Sequence, residues 1–166
     1  MTDQKKRPVA RAIIYFVYLI FIFILQSMIM SRYPIFGAKP LILPLVAVSA
    51  ALFYGRVTGG VVGLFAGMLT DMSFNEPTIV FTLALTFVGL AVGYMAETVL
   101  FRGLPAFLLT ALLALVVCAF VQAARLLFIS GAPGALLLEL SLRQIASSAL
   151  FALPIYFITK GFSRIV

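Results

Sequence analysis

The sequence predicts an all-α, polytopic membrane protein, a single integral membrane domain over residues 1–166 built as a bundle of six transmembrane helices with both termini in the cytoplasm. Three observations predict it. The chain is 64% hydrophobic and 10% charged, whereas soluble domains run about 45–50% apolar and about 25% charged. A soluble globule of 166 residues needs a polar skin that 12 basic and five acidic residues cannot furnish. The charges stand at the borders of long uncharged runs, and a charge at the bilayer centre costs about 2.5–3.5 kcal/mol on insertion scales. The basic residues, finally, are shared unequally between the two ends of those runs.

Taken in order, the first span covers residues 12–31, between Arg11 and Arg32. Roughly 20 apolar residues cross about 30 Å of hydrocarbon. Lys5, Lys6, Arg7 and Arg11 give this segment the positive flank of a signal peptide. Its apolar run is long, however, and Gln26-Ser27-Met28-Ile29-Met30 offers no small-x-small cleavage site, so it reads as a retained span. The second and third spans, residues 40–55 and 57–74, are short. Tyr54-Gly55-Arg56 between them reads as a tight cytoplasmic turn with Gly as helix stop, which favours two full spans over two re-entrant helices. Arg56 can snorkel to the interface, and the third span can extend past Asp71 to Phe74. Residues 77–96 and 103–129 make the fourth and fifth spans. Residues 134–159 make the sixth, with Glu139 and Arg143 near its start. Pro44 is expected to kink the second helix and Pro154 the last.

Six spans with the N-terminus inside place Lys5, Lys6, Arg7, Arg11, Arg56, Arg102, Lys160 and Arg164 in the cytoplasm. Only Arg32 and Lys39 then lie in the outer loops, with Arg125 and Arg143 within or at the outer ends of spans. The excess of basic residues inside is the rule that sets orientation. The same flanking arrangement argues against nucleic acid as a partner, because the charges form no single basic face.

Composition also narrows the chemistry. The chain has no His and one Cys, Cys118. His-based triads, zincin and haem sites, internal disulfides and thiolate metal cages are thereby excluded. Cys118, in the middle of an apolar helix, reads as a small buried hydrophobe. No nucleophile stands beside a base, so the sequence offers no catalytic set, no metal ligands and no cofactor site.

Two groups of residues stand out. Gly59, Gly63, Gly67 and Asp71 are spaced by four and share one helix face. Gly89 and Gly93 repeat the spacing in the fourth span. Such glycines let backbones approach closely, either within the bundle, the favoured reading, or as a groove for a partner's helix. The second group is ionic. Asp71 and Arg125 lie at similar depth, and Glu139 and Arg143 are spaced i, i+4 with the acid first, the better order for a helical pair. Asp71, Arg125, Glu139 and Arg143 are expected to form a structural polar cluster in the outer half of the bundle, because ionic groups near hydrocarbon must be paired.

The order of several short motifs resembles the rod shape-determining protein MreD family of bacteria. They are Leu25-Gln26-Ser27, Gly37-Ala38-Lys39-Pro40, Gly63-x-x-x-Gly67-Met68-Leu69-x-Asp71, Val88-Gly89-x-x-x-Gly93-Tyr94, Leu100-Phe101-Arg102 and Ala149-Leu150-Phe151-Ala152-Leu153-Pro154-Ile155-Tyr156. The chain departs from the family's pattern at Leu41, where Asp is common, and at Phe74-Asn75-Glu76-Pro77, where Ser-Gly is common. The resemblance implies a fold related to the S components of energy-coupling-factor transporters. It implies a non-enzymatic protein of the bacterial cytoplasmic (inner) membrane, part of the elongation machinery that builds the lateral peptidoglycan wall. Its implied direct partner is MreC, met through the membrane span and juxtamembrane segment, with MreB, RodA and the penicillin-binding transpeptidase as indirect partners. The alternative is a substrate-binding S component of a vitamin transporter. Against it, the four-residue step from Ala12 lands on Phe16 where S components tend to carry a second Ala, and the outer loops lack Trp and His.

Overall fold

The computed structural model describes residues 17–30, 41–73, 79–98, 103–130 and 134–165. The N-terminal basic run at residues 5–11, residues 32–39, expected as an outer loop, residues 74–78 and Arg102 lie outside the described residues. Among the described residues every element is helical. The helices are α1 (residues 17–30, the last turn a π-helix over Gln26–Met30), α2 (Leu43–Tyr54), α3 (Arg56–Ser73), α4 (Val80–Thr98), α5 (Leu104–Ser130), α6 (Gly134–Leu150) and α7 (Ala152–Ile165). Three segments are long and apolar enough to cross a membrane: Val80–Thr98, Leu104–Phe128 and Leu136–Gly161, the last made of α6 and α7. The chain is a membrane protein by this measure.

The centre of the body is α2. Every residue from Leu43 to Leu52 is buried, and the helix packs against α3, α4, α5 and α7. An apolar surface on all sides is what a wrapped helix requires. Its 12 residues span only about 18 Å at 1.5 Å per residue, so the segment expected over residues 40–55 is shorter as a helix than the hydrocarbon is thick. Pro44 does not kink it. The proline stands in the first turn, where its missing N–H has no helical acceptor to lose.

Gly55 makes the connection from α2 to α3 in one residue. Its φ of +89° lies in the left-handed region that a side chain disfavours. Its N–H donates to the Ala51 carbonyl at 3.0 Å, and its own carbonyl accepts from the Gly59 N–H at 2.9 Å, so Gly55 closes the end of α2 and opens α3. Around α2 the core continues through Phe81 and Leu85 of α4, Phe107, Ala111 and Cys118 of α5, and Tyr156 of α7. The Tyr156 ring lies 5.7 Å from that of Phe53 and 5.3 Å from that of Phe107.

The last apolar stretch is two helices rather than one kinked helix. The break falls at Phe151, whose N–H donates to Ser148 at 3.0 Å in a tight turn. Pro154 causes it: a proline has no N–H for the carbonyl four residues back, here Leu150, and its ring clashes with that carbonyl in a continuous helix. Helix α7 restarts with Pro154 in its first turn.

Candidate functional site

The glycines, the acids and a set of side chains unmarked by the sequence reading meet at the interfaces of α3 and α4 and at the N-terminus of α2. Gly59, Gly63 and Gly67 are buried on α3, and Gly89 and Gly93 on α4. A Cβ on Gly63 would overlap the Leu85 carbonyl, one on Gly67 the backbone of Thr82, and one on Gly89 the Gly59 carbonyl. A Cβ on Gly93 would overlap the Arg56 backbone, and one on Gly59 would meet Ala51 of α2. The two backbones therefore touch along the whole seam, with α2 closing one end. The groove weighed as a dock for a partner's helix is filled from within the chain: α4 occupies it, and no third helix fits between.

Both ends of this hairpin are closed by acids. Asp71, near the end of α3, is 7% exposed. Its Oδ1 accepts from the Phe81 N–H at 3.3 Å, and its Oδ2 from the Thr82 N–H at 2.9 Å and the Thr82 hydroxyl at 2.7 Å. These amides belong to the first turn of α4, which has no acceptors of its own there. At the other end Glu97, near the end of α4, accepts from the Arg56 N–H at 2.9 Å, and its second oxygen lies 4.0 Å from the Arg56 Nε. Each helix thus lends a carboxylate to the positive N-terminal end of its neighbour. Such reciprocity needs antiparallel helices of matched length, and the glycine seam supplies the close approach.

The four residues expected as one polar cluster stand on three helices, α3, α5 and α6. Asp71 serves the first turn of α4. Arg125 is half-buried on α5. Glu139 and Arg143 form an exposed ion pair along α6. Helix α3 packs on α2 and α4, while α6 packs on α5 and α7, which accounts for the different surroundings of the two acids.

A third cap was not legible in advance. The Gln26 Oε1, within the π-turn of α1, accepts from the Ile42 N–H at 2.9 Å and the Leu43 N–H at 3.2 Å. The Ser148 Oγ of α6 accepts from the Leu41 N–H at 2.8 Å. Three successive amides at the start of α2 are so satisfied by side chains from two other helices. Deeper in, the Thr159 hydroxyl donates to the Ser49 Oγ at 3.2 Å, and Ser49 donates to the Val46 carbonyl at 2.8 Å, tying α7 to α2. Glu97 and Ser148 carried no sequence signal beyond polarity inside or beside an apolar run, and Gln26 stood out only within the Leu25-Gln26-Ser27 motif, which points to no cap. Among the described residues no group of three His, Cys, Asp or Glu side chains gathers as a metal site.

Compared with family models, with curated proteins and with solved structures, the chain matches none.

Proposed function

We propose that the chain is a non-enzymatic scaffold in the bacterial cytoplasmic membrane, crossing it six times with both termini inside, and that it supports lateral wall synthesis by holding a bitopic protein of the MreC type. One observation carries this reading. The buried polar groups of Asp71 and Ser148, the half-buried Gln26 and Glu97 at the rim are spent on the ends of neighbouring helices. Polar side chains deployed in this way make a rigid body whose use is its outer surface. The order of motifs resembling the MreD family supports the same reading. Because α4 fills the glycine seam, the partner's span meets the body on another face.

Co-expression with the MreC-type protein tests the proposal. After extraction in mild detergent, capture through a tag on this chain retains the partner in comparable amount. Loss of the partner on capture, with both proteins present and intact in the membrane fraction, overturns it.

A further inference from the structure

Helix α6 turns hydroxyls and an amide inward and its charges outward. Against the body it buries Leu137, Gln144, Ser147 and Ser148. Ser148 caps α2, and the Ser147 hydroxyl donates to the Gln144 carbonyl at 2.9 Å. On the outside lies the Glu139–Arg143 ion pair, its side chains 62% and 52% exposed. Among the described residues the other exposed charges, Arg56 and Glu97, stand at helix ends. This pair does not. It lies within the apolar segment Leu136–Gly161, with Arg143 about 10 Å from the start of that segment at 1.5 Å per residue. Ionisable groups inside a membrane segment almost always face protein or water, because exposing them to acyl chains is costly. The positions around the pair are also ordered. Leu136, Glu139, Arg143, Ala146 and Leu150 are all exposed and alternate steps of three and four. That is the spacing of a seam between two helices crossing at a shallow angle. The seam runs about 21 Å at 1.5 Å per residue. Ala146, next to Arg143 along it, is small enough to let a second backbone approach.

We propose that the outward seam of α6 is a docking face for one membrane-spanning helix of another protein, which presents an amide or hydroxyl side chain at the depth of Glu139 and Arg143. Resting on the scaffold reading above, this assigns the bitopic partner's span a face and a chemistry. Acyl chains offer the pair no hydrogen bond. A second copy of this chain is inserted the same way up, so two α6 seams would run parallel and set each residue against its own counterpart. Glu139 would then meet Glu139 and Arg143 would meet Arg143, like charges in contact. A different helix escapes this conflict. Because the pair is neutral as a whole, it calls for a group that both donates and accepts. An Asn or Gln amide, or a hydroxyl, donates to the Glu139 carboxylate and accepts from the Arg143 guanidinium.

The test uses the full chain co-expressed with the MreC-type protein. The photoreactive residue benzoylphenylalanine is placed singly at Leu136, Leu142 or Leu150, on or beside the seam, and at Phe87 of α4 or Leu113 of α5, whose exposed side chains are apolar. Irradiated membranes give cross-links to the partner from the α6 positions and none from Phe87 or Leu113. Separately, Glu139→Leu combined with Arg143→Leu lowers the amount of partner captured fivefold or more. The melting temperature of the chain alone stays unchanged, since both side chains stand outside the body. Cross-links from Phe87 or Leu113 alone, with capture intact, overturn the face and leave the partner standing. Cross-links from α6 to a second copy overturn it in favour of self-association. Undiminished capture by the double variant also overturns it, leaving the two charges paired with each other at the membrane surface. Loss of capture by the unaltered chain overturns the scaffold reading and this docking face together.

Discussion

Asp71 joins two helices with one carboxyl group. Removing it by Asp71→Ala leaves the Phe81 and Thr82 amides and the Thr82 hydroxyl without this acceptor. Unsatisfied buried groups cost about 1–3 kcal/mol, so the melting temperature in detergent falls markedly. Asp71→Asn keeps one carbonyl oxygen toward Thr82 and falls less. Equal loss in the two variants would show that the charge, not the acceptor, carries the cap. At the glycines the test is steric. Gly63→Ala drives a methyl group into the Leu85 backbone carbonyl, whereas Gly161→Ala meets nothing within 4 Å. Overpacking costs about 1–3 kcal/mol, and a helical Gly with open space around it, replaced by Ala, gains up to about 1 kcal/mol. Thermal unfolding therefore moves in opposite directions for the two variants.

The α3–α4 hairpin is the element in which these residues act together. Its caps stand at opposite ends of α3, 15 residues and about 22 Å apart. Sites that far apart add independently, within about 0.5 kcal/mol. Asp71→Ala and Glu97→Ala combined should thus lower stability by the sum of the two, measured by unfolding in the same detergent. A combined effect well below the sum would mean the hairpin opens as soon as either cap is lost. Helix α2 has a different dependence. Its N-terminus relies on α1 and α6, so Gln26→Leu strands the Ile42 and Leu43 amides and Ser148→Ala strands that of Leu41. Each loosens the packing of α1 or α6 on the core, and hydrogen exchange at the first amides of α2 should rise by tenfold or more in either variant, since a factor of ten corresponds to about 1.4 kcal/mol.

For the molecule as a whole, the enclosed α2 is the fact that organises the rest. A helix with no face to the outside has to be surrounded, and α3, α4, α5 and α7 surround it. The orientation of that body is set by the basic residues of the sequence. A reporter active only in the periplasm, fused after Val166, stays silent if both termini are cytoplasmic. A strong signal from that fusion would mean either that the whole body is inverted or that the number of spans is odd.

The all-helical class, the tight turn at Gly55 and the importance of the four-residue glycine spacing were all legible in the sequence, because each follows from local physics. Charges border apolar runs because burying them in lipid is costly, and only glycine takes the φ of +89° that a one-residue turn demands. The place of Pro154 near a break was also legible, though not that α6 ends and α7 restarts there. Which neighbour each glycine touches was not legible, since spacing gives a face but not what the face meets. Nor were the amides that Asp71 accepts from: an acid takes any donor that packing brings to it, and proximity in the fold chooses. The capping roles of Gln26, Glu97 and Ser148 were hidden for the same reason. Each caps a helix other than its own, and such a cap has no signature along the chain. Tertiary structure alone decided these contacts, because a helix N-terminus accepts any oxygen that packing brings within hydrogen-bonding reach.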